Sequence, residues 1–290
     1  MVNHEVTAII VEKGRVRGVR AVERRGTKTL EKEFLAATVI SDAGATTTYS
    51  RLLSRAYAED ARRDLNSLPS PTAHVSLYVG FKDDPGKLGF HGENHWIYNS
   101  LDHEEIFCRR NELLEGRPMA CFLSFPSMKG GARGHTAEIV SFLDYEPFRR
   151  WRDKPWKHRG DDYENLKDRI SRALIDFVDQ RYPGFSALVD FHELSTPLTT
   201  EHFTGHAHGA AYGLPAAPER FRMRWTGPRT PVKGLYLAGA DAACVGVVGA
   251  MMGGVFAAGL AMGWRGLWRL FHAVGKRMKA AASGFRGQRG

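Results

Sequence analysis

A run of 23 residues without a charged side chain, residues 242–264, limits what this chain can fold into more than any other feature. It is long enough to cross a bilayer, and its GxxxG spacings, at Gly249/Gly253 and Gly259/Gly263, are typical of helices that pack in membranes. However, six of the 23 residues are glycine, and each glycine costs about 1 kcal/mol inside a helix relative to alanine. The glycines therefore need a structural or functional reason.

The residues before this run suggest one such reason. A short apolar strand is predicted over residues 235–238, and Asp241 lies in the turn between that strand and the glycine-rich helix. The N-terminus of a helix binds anionic or polar cofactors well, because its unpaired N–H groups point at the ligand. The Asp241 carboxylate can accept hydrogen bonds from sugar or polyol hydroxyls. From the residues alone, three interpretations remain open: a cofactor-binding helix, a membrane span and a buried core helix.

Composition and charge exclude several classes of protein. With 43% hydrophobic and 25% charged residues, the 290-residue chain is typical of globular proteins. Its three cysteines show no metal-binding spacing, and no apolar leader opens the sequence, so we expect a cytoplasmic protein with reduced thiols. The net charge is +9, but residues 265–290 supply +7 of it and contain no acidic residue. The nearly neutral remainder argues against a nucleic-acid partner.

The basic C-terminal tail has an amphipathic pattern. Apolar residues recur at helical spacing on one face of it, at Trp264, Leu267, Trp268, Phe271, Val274 and Met278. A basic amphipathic helix that carries tryptophans is typical of peripheral binding to a membrane surface. The alternative is a helix that docks on the protein itself and exposes its basic face.

Two regions with different sequence patterns precede the tail. Alternating β-branched residues over 6–12 and 15–22 predict a hairpin, a buried parallel strand is predicted over 37–41, and a helix over 46–68. The middle of the chain is rich in aromatic strand candidates and contains a clear helix, which begins near residue 163 and ends at Pro183-Gly184. The strands predicted in this middle part cover residues 74–81, 95–100, 105–110, 119–126 and 137–145.

The sequence resembles one family in three blocks that appear in the family's order. The segment GLYLAGADAACVGVVGAMMGGVFAA is similar to the C-terminal flavin-contacting segment of phytoene desaturases, carotenoid isomerases and retinol saturases. VTAIIVEKGRVRGVRAV followed by ATVISDAGA resembles the family's adenine-side hairpin and the strand after it. STPLTTEHFTGHAHGAAYGLPAAPERF resembles its substrate-side segment. The resemblance favours the cofactor interpretation of the uncharged run.

The resemblance implies an α/β fold of the FAD/NAD(P)-binding, Rossmann-like flavoprotein type, with an inserted substrate domain built on a mixed antiparallel sheet. The FAD-binding part would comprise residues 1–60 and 231–264, the substrate domain 61–230, and the basic helix and tail 265–290. One departure is large: no GxGxxG motif, which cradles the FAD pyrophosphate in the family, occurs in the sequence. We therefore expect a chain truncated at its N-terminus, from either a truncated gene or a split gene whose separately encoded N-terminal half is a partner.

The resemblance also implies which residues contact FAD. Val6 would present its backbone to the adenine, and Ala43 and Gly44 would form a turn close to the cofactor. The ribityl and phosphate groups would meet the turn after the 235–238 strand, and the flavin pyrimidine ring would meet the following helix N-terminus, whose dipole stabilises negative charge on the reduced ring. The residues of these last two contacts are Gly239, Ala240 and Asp241, and Val247, Val248, Gly249 and Ala250.

A polar cluster in TEHFTGHAHG supplies only weak catalytic candidates, Glu201, His206 and His208. A His-x-His pair can bind zinc, but no further ligand stands at usable spacing, so we predict no metal. These side chains, with His202, either line the flavin or substrate cavity or have structural roles. No side chain is predicted to act as the catalytic acid or base.

The function that the resemblance implies is FAD-dependent oxidoreduction at carbon–carbon bonds of an apolar polyene or isoprenoid of the carotenoid type. Desaturation, saturation and isomerisation all remain open. The alternative is a catalytically inactive fragment that acts as a membrane-associated binding module.

Overall fold

The chain divides into two compact units. The computed structural model describes residues 1–26, 28–130 and 134–286, of which 278–286 are described by their backbone alone. The first unit comprises Met1–Ser70 and Tyr212–Gly290, and the second comprises Pro71–Ala211. The α/β class predicted from the sequence is confirmed, because both parts of the chain contain helices and strands.

The strands and helices follow in chain order. The strands are β1 (His4–Glu12), β2 (Arg15–Arg25), β3 (Lys28–Leu35), β4 (Val39–Ser41), β5 (Ala73–Phe81), β6 (His95–Tyr98), β7 (Ala120–Ser124), β8 (Thr136–Leu143), β9 (Val189–Ser195) and β10 (Leu235–Leu237). The helices are α1 (Ala45–Thr47), α2 (Glu59–Ser67), α3 (His103–Cys108), α4 (Asp161–Arg181), α5 (Phe185–Leu188), α6 (Pro197–Thr204), α7 (Pro218–Arg222), α8 (Gly246–Ala261) and α9 (Gly266–Arg286).

The first unit contains two sheets within its described residues. β1, β2 and β3 form an antiparallel sheet, and β4 pairs with β10 in parallel, with Ile40 opposite Tyr236. The predicted hairpin and the parallel pairing of the predicted strand are therefore confirmed, but the strand is not fully buried, because Ile40 is 47% exposed. β3 was not predicted, because its sequence KTLEKEFL carries four charged side chains and lies with mostly exposed residues at the edge of the sheet.

The helix predicted over 46–68 is wrong as a single element. The chain forms α1, a π-helical turn over Thr48–Leu52, a 3-10 turn over Arg55–Tyr57 and then α2. Tyr49 is fully buried inside this broken stretch and meets the ring of Trp225 edge-on, with 5.2 Å between the centroids. Packing of a large ring against a distant residue has thus overridden the local helical pattern.

The sequence-based domain limits differ from the two units. Residues 61–70 and 212–230, which the sequence assigned to the substrate domain, group with the first unit. Trp225 shows why: its indole N–H donates to Asp64 Oδ2 at 3.1 Å, and the Tyr49 hydroxyl donates to its carbonyl at 3.3 Å. Residues far apart in the sequence therefore share one apolar core, and local composition does not reveal this.

The second unit is built on one sheet and one long helix. The sheet has the order β6-β7-β8-β5-β9, and its pairs are antiparallel, so the predicted antiparallel sheet is confirmed, although it contains no parallel pair among the described residues that would make it mixed. One face of β5 carries the buried Val75, Leu77 and Val79, and the predicted helix, α4, shares their core through Ile170 and Leu174.

A strand predicted over 105–110 is wrong, because this stretch begins in α3. The Asp102 carboxylate accepts hydrogen bonds from the N–H groups of Glu104 and Glu105, at 2.9 and 3.1 Å, and so caps the N-terminus of the helix. Aspartate is among the preferred capping residues, and this signal outweighs the strand propensity of Ile106 and Phe107.

In the described part of the chain, no single helix is long and apolar enough to cross a membrane. Taken together, α8 and Gly266–Arg277 have the length and apolar composition of one membrane span, but the two helices meet at a bend of 119°.

Candidate functional site

The predicted cofactor segments meet at the carboxyl ends of β4 and β10. Residues 42–44 follow β4, residues 238–241 follow β10, and the Ala238 N–H donates to the Ser41 carbonyl at 2.9 Å. Gly44 and Gly239 have φ values of +78° and +79°, a region that side chains other than glycine rarely adopt. In open α/β folds, dinucleotide cofactors bind at this end of parallel strands. The structure therefore brings together two segments that lie almost 200 residues apart.

The glycines of α8 allow the helix to lie directly on the turn after β10. A Cβ atom at Gly253 would come within 2.1 Å of the Gly239 carbonyl oxygen, and one at Gly249 within 2.0 Å of the Cys244 carbonyl oxygen. Both distances are far below van der Waals contact. This close backbone approach is the reason that a helix so rich in glycine is stable here.

The N-terminus of α8 combines polar backbone with exposed apolar side chains. Gly246 has a φ of +87° and opens the helix, and among the described residues no side chain caps this end. Val247, Val248 and Met251 expose 89%, 69% and 61% of their surface, whereas Gly249 and Ala250 are half-buried. Large apolar side chains beside unpaired N–H groups suit a flat ring with a polar edge.

The Asp241 carboxylate is buried, at 5% exposure, and both its oxygens accept hydrogen bonds from the protein backbone. Oδ2 accepts from the Ala45 N–H at 2.7 Å and Oδ1 from the Leu214 N–H at 2.8 Å. Asp241 therefore joins the start of α1 and the 212–214 loop to the turn after β10. The contact with the ribityl chain stays a prediction, and the carboxylate has a structural role besides it.

Arg220 completes this network, and no sequence pattern predicted it. The side chain is 1% exposed, and its two Nη atoms donate to the Leu214 carbonyl at 3.1 Å and the Ala240 carbonyl at 2.5 Å. Asp241 and Arg220 thus hold Leu214 by its N–H and its carbonyl. In PERFRMRW, an arginine among other basic residues predicts an exposed side chain, so no local signal marks it.

Val6 lies in another sheet, away from the β4 and β10 ladder. It pairs with Ala21 at an irregularity of the β1–β2 register, and 40% of its surface is exposed. Its predicted backbone contact with adenine stays a prediction.

The weak catalytic candidates face different surroundings. Glu201 accepts from the Tyr145 hydroxyl at 2.6 Å and pairs with Arg152 at 2.7 Å. Burial and the neighbouring Glu201 raise the pKa of Tyr145, so its hydroxyl keeps the proton that it donates. The His208 ring lies against the Tyr145 ring, tilted by 36° with 5.1 Å between the centroids, and His206 Nδ1 lies 3.1 Å from the Ala210 carbonyl. In the part of the chain that the structure describes, no three His, Cys, Asp or Glu side chains are grouped to hold a metal ion.

The second unit offers two apolar surfaces for a ligand. One is the face of its sheet opposite the core, where Trp96, Tyr78 and Phe191 are 55%, 50% and 61% exposed and Trp96 lies 4.9 Å from Phe122 between ring centroids. The other is a cavity of about 580 Å³ beside β5, β9 and α6, which includes Trp156, Phe203 and His206. His206, for which a cavity-lining role was left open, lines this cavity, whereas the other residues of the two surfaces were not predicted because they come from distant segments.

The chain has relatives among curated proteins. It is 28% identical over 239 residues to an all-trans-retinol 13,14-reductase of Danio rerio, covering 77% of this chain and 39% of that protein. An inactive all-trans-retinol 13,14-reductase of the same organism is 28% identical over 248 residues, 79% of this chain and 40% of that protein. A chloroplastic prolycopene isomerase of Arabidopsis thaliana is 23% identical over 239 residues, 81% of this chain and 36% of that protein.

These relatives confirm the family resemblance: homologues of the chain are all-trans-retinol 13,14-reductases and a prolycopene isomerase. The chain spans about 40% of the length of the curated relatives that it matches. No family model matches it. Among solved structures, cyclohexylamine oxidase from Brevibacterium oxydans IH-35A is similar, with a TM-score of 0.47, 16% identity, and coverage of 87% of this chain and 45% of that chain.

Proposed function

We propose that this chain forms part of an FAD-dependent oxidoreductase that acts on carbon–carbon bonds of an apolar polyene or isoprenoid. The observation that carries the proposal is the glycine-lined junction of the β4 and β10 turns with the N-terminus of α8. The retinol reductases and the prolycopene isomerase among its relatives favour a polyene, and they keep saturation, desaturation and isomerisation open.

The residues present fit FAD. Gly44 and Gly239 have positive φ values at the carboxyl ends of two parallel strands, and a Cβ atom at Gly239 would lie 2.2 Å from Asp42 Oδ1, so only glycine lets the two turns come this close beside the N-terminus of α8. Bound flavin supplies hydride transfer. The first N–H groups of α8 would stabilise negative charge on its pyrimidine edge, and Val247 and Val248 would exclude water beside it.

A binding role without catalysis is the second candidate, and one observation favours it. The inactive reductase of Danio rerio is as similar to this chain as the reductase named without that qualifier. Flavin reduction by dithionite does not separate the two candidates, whereas turnover of a polyene does. We propose catalysis first, because a reductase and an isomerase are among the relatives and the predicted contacts at 43–44, 239–241 and 247–250, although not Val6, lie close together.

The cofactor proposal is tested with Val248→Asp, which places a carboxylate on the exposed first turn of α8. We expect this variant to bind FAD about tenfold more weakly in an equilibrium titration, which corresponds to a loss of about 1.4 kcal/mol of binding free energy. The new carboxylate would repel the negative pyrimidine edge and would cancel part of the positive potential at the helix N-terminus. The measurement is flavin fluorescence anisotropy. Val2→Asp, which alters another exposed valine at 82% exposure, should leave the affinity unchanged. Equal affinities of the two variants would remove α8 from the flavin site.

Binding by the 290-residue chain alone should be weak. The sequence contains no GxGxxG, and the backbone hydrogen bonds of that motif to the pyrophosphate contribute about 1–3 kcal/mol each. We therefore expect FAD to be lost on desalting, although it binds at equilibrium. A yellow preparation that keeps about one equivalent of flavin would contradict this expectation, and an anisotropy that never rises would contradict the cofactor proposal.

We also propose that α9 binds peripherally to a membrane surface. Trp264, Trp268 and Phe271 are 89%, 65% and 55% exposed, whereas Leu267 of the predicted apolar face packs against Gly259 of α8. The predicted contribution of Met278 lies outside the described side chains. Arg265 and Arg269 lie beside the tryptophans, and anionic lipids would add about 1 kcal/mol for each basic side chain near the surface.

Liposome flotation tests this proposal. The chain should float with anionic vesicles at low salt, whereas a version that ends at Gly263, and the double variant Trp264→Ala/Trp268→Ala, should remain with the soluble fraction. Trp96→Ala, which removes an exposed tryptophan of the second unit, serves as the matched control and should float. Flotation that survives the truncation, or that resists alkaline carbonate, would contradict a surface-bound helix.

A further inference from the structure

The cavity in the second unit contains charges that an apolar polyene does not explain. Its volume, about 580 Å³, lies in the usual range for small-molecule sites. Trp156, Leu194 and Phe203 form apolar parts of the wall, and Arg159 lines the same space. The cavity thus combines apolar walls with a cationic wall residue.

Arg159 is buried without a compensating anion. It is 5% exposed, its Nη1 donates to the Tyr163 hydroxyl at a long 3.4 Å, and its Cζ lies 5.2 Å from the Tyr163 ring centroid. Among the described residues, its Nε has no hydrogen-bond partner and no carboxylate lies within ion-pairing distance. A buried guanidinium is costly unless an anion pairs with it, and its fork geometry suits a carboxylate.

The other charges around the cavity leave it net positive. Lys157 and Lys167 line it with Arg159, and the carboxylates there are Glu164, which pairs with Lys167 at 3.3 Å, and Glu193. Burial lowers the pKa of His74, so this wall residue is uncharged near neutral pH. The balance of three cations against two carboxylates leaves one positive charge for a ligand.

We propose that this cavity binds the carboxylate of a polyene or isoprenoid acid, with Arg159 as the residue that recognises the carboxylate. The inference rests on the proposed function and narrows its substrate class from apolar polyenes to those with an acidic end. The hydrocarbon part of the ligand lies along Trp156 and Phe203, and the carboxylate lies against the guanidinium. A hydroxyl in the same place leaves the buried charge unpaired, so the acid binds at least tenfold more tightly than the alcohol.

The test compares three probes of the same skeleton: all-trans-retinoic acid, its methyl ester and all-trans-retinol. Binding is measured by quenching of tryptophan fluorescence, to which Trp156 in the cavity wall contributes. With the unaltered chain, we expect the acid to bind at least tenfold more tightly than the ester and the alcohol. This comparison needs no variant, so it decides the matter even if a substitution at the buried Arg159 disturbs folding.

Variants then assign the preference to its residue. Arg159→Gln should bind all three probes equally. Lys157→Gln, at an exposed position, should reduce the ratio of acid affinity to alcohol affinity by about threefold. Arg172→Gln serves as the matched control and should keep the preference, because Arg172 is on α4, pairs with Asp168 at 2.7 Å and does not line the cavity.

The outcomes separate this inference from the proposed function. Equal binding of the acid, ester and alcohol by the unaltered chain overturns the inference and leaves the proposed polyene specificity standing. A preference for the acid that Arg159→Gln keeps also overturns the inference. Binding of palmitate as tight as that of retinoic acid supports the carboxylate site and contradicts a polyene substrate, whereas no binding by any probe overturns both.

Discussion

Gly253→Ala is expected to lower the free energy of unfolding by about 3 kcal/mol, the upper end of the usual cost of overpacking a core. The added methyl carbon would lie 2.1 Å from the Gly239 carbonyl oxygen and 3.0 Å from its backbone nitrogen, so α8 would have to move off the turn. Urea denaturation, followed by tryptophan fluorescence, gives the free energy of unfolding directly.

The neighbouring glycine supplies a matched control. A Cβ atom at Gly254 has nothing within 4 Å, so Gly254→Ala should be neutral or should stabilise the protein by up to about 1 kcal/mol through helix propensity. If Gly253→Ala proved as stable as Gly254→Ala, close packing of α8 on the turn after β10 would be contradicted.

Asp241→Asn is the second substitution with a large expected effect. The asparagine amide has only one acceptor oxygen, so its NH2 group would face the backbone N–H of either Ala45 or Leu214. Two donors would then face each other, and one hydrogen bond would be lost. Because hydrogen bonds to charged groups contribute about 1.5–3 kcal/mol, we expect the free energy of unfolding to fall by about 3 kcal/mol. Denaturant unfolding of the variant and of the unaltered chain measures this difference.

Asp42→Asn is the control for this substitution, because Asp42 lies on the adjacent turn and is exposed. It should change the free energy of unfolding by less than about 0.5 kcal/mol. Unfolding of Asp241→Asn at the same urea concentration as the unaltered chain would show that the buried carboxylate does not hold the turns together. A separate FAD titration of the folded variant would then test the predicted ribityl contact by itself.

Local sequence patterns predicted those elements whose stability is local. The hairpin of β1 and β2 and the long helix α4 were confirmed, because alternation and helical periodicity describe which face of each element is buried, and a short apolar run located β4. The errors occurred where another interaction was stronger than the pattern. Asp102 caps α3 where a strand was predicted, and the packing of Tyr49 breaks the helix predicted over 46–68.

In the candidate site, too, some features could be predicted from local sequence patterns and others could not. The glycine-rich segment could be predicted because the glycines stand at positions where the main chain itself must come close to another group. The Asp241 hydrogen bonds and the buried Arg220 could not, since their partners lie at residues 45, 214 and 240 and no sequence pattern links them. The cavity around Arg159 could not be predicted either, because it forms from β5, β9, α6 and the start of α4.

The amino-acid sequence by itself determined the α/β class, the order of the three family-like blocks and the presence of a helix with more glycine than ordinary core packing uses. Only the tertiary structure decided where the charges of the interior lie, with Asp241 joined to two backbone N–H groups and Arg159 left without an anion. The physical reason is that helical and strand periodicity depends on near neighbours in the chain. Burial and compensation of a charge depend on whichever distant residues surround it.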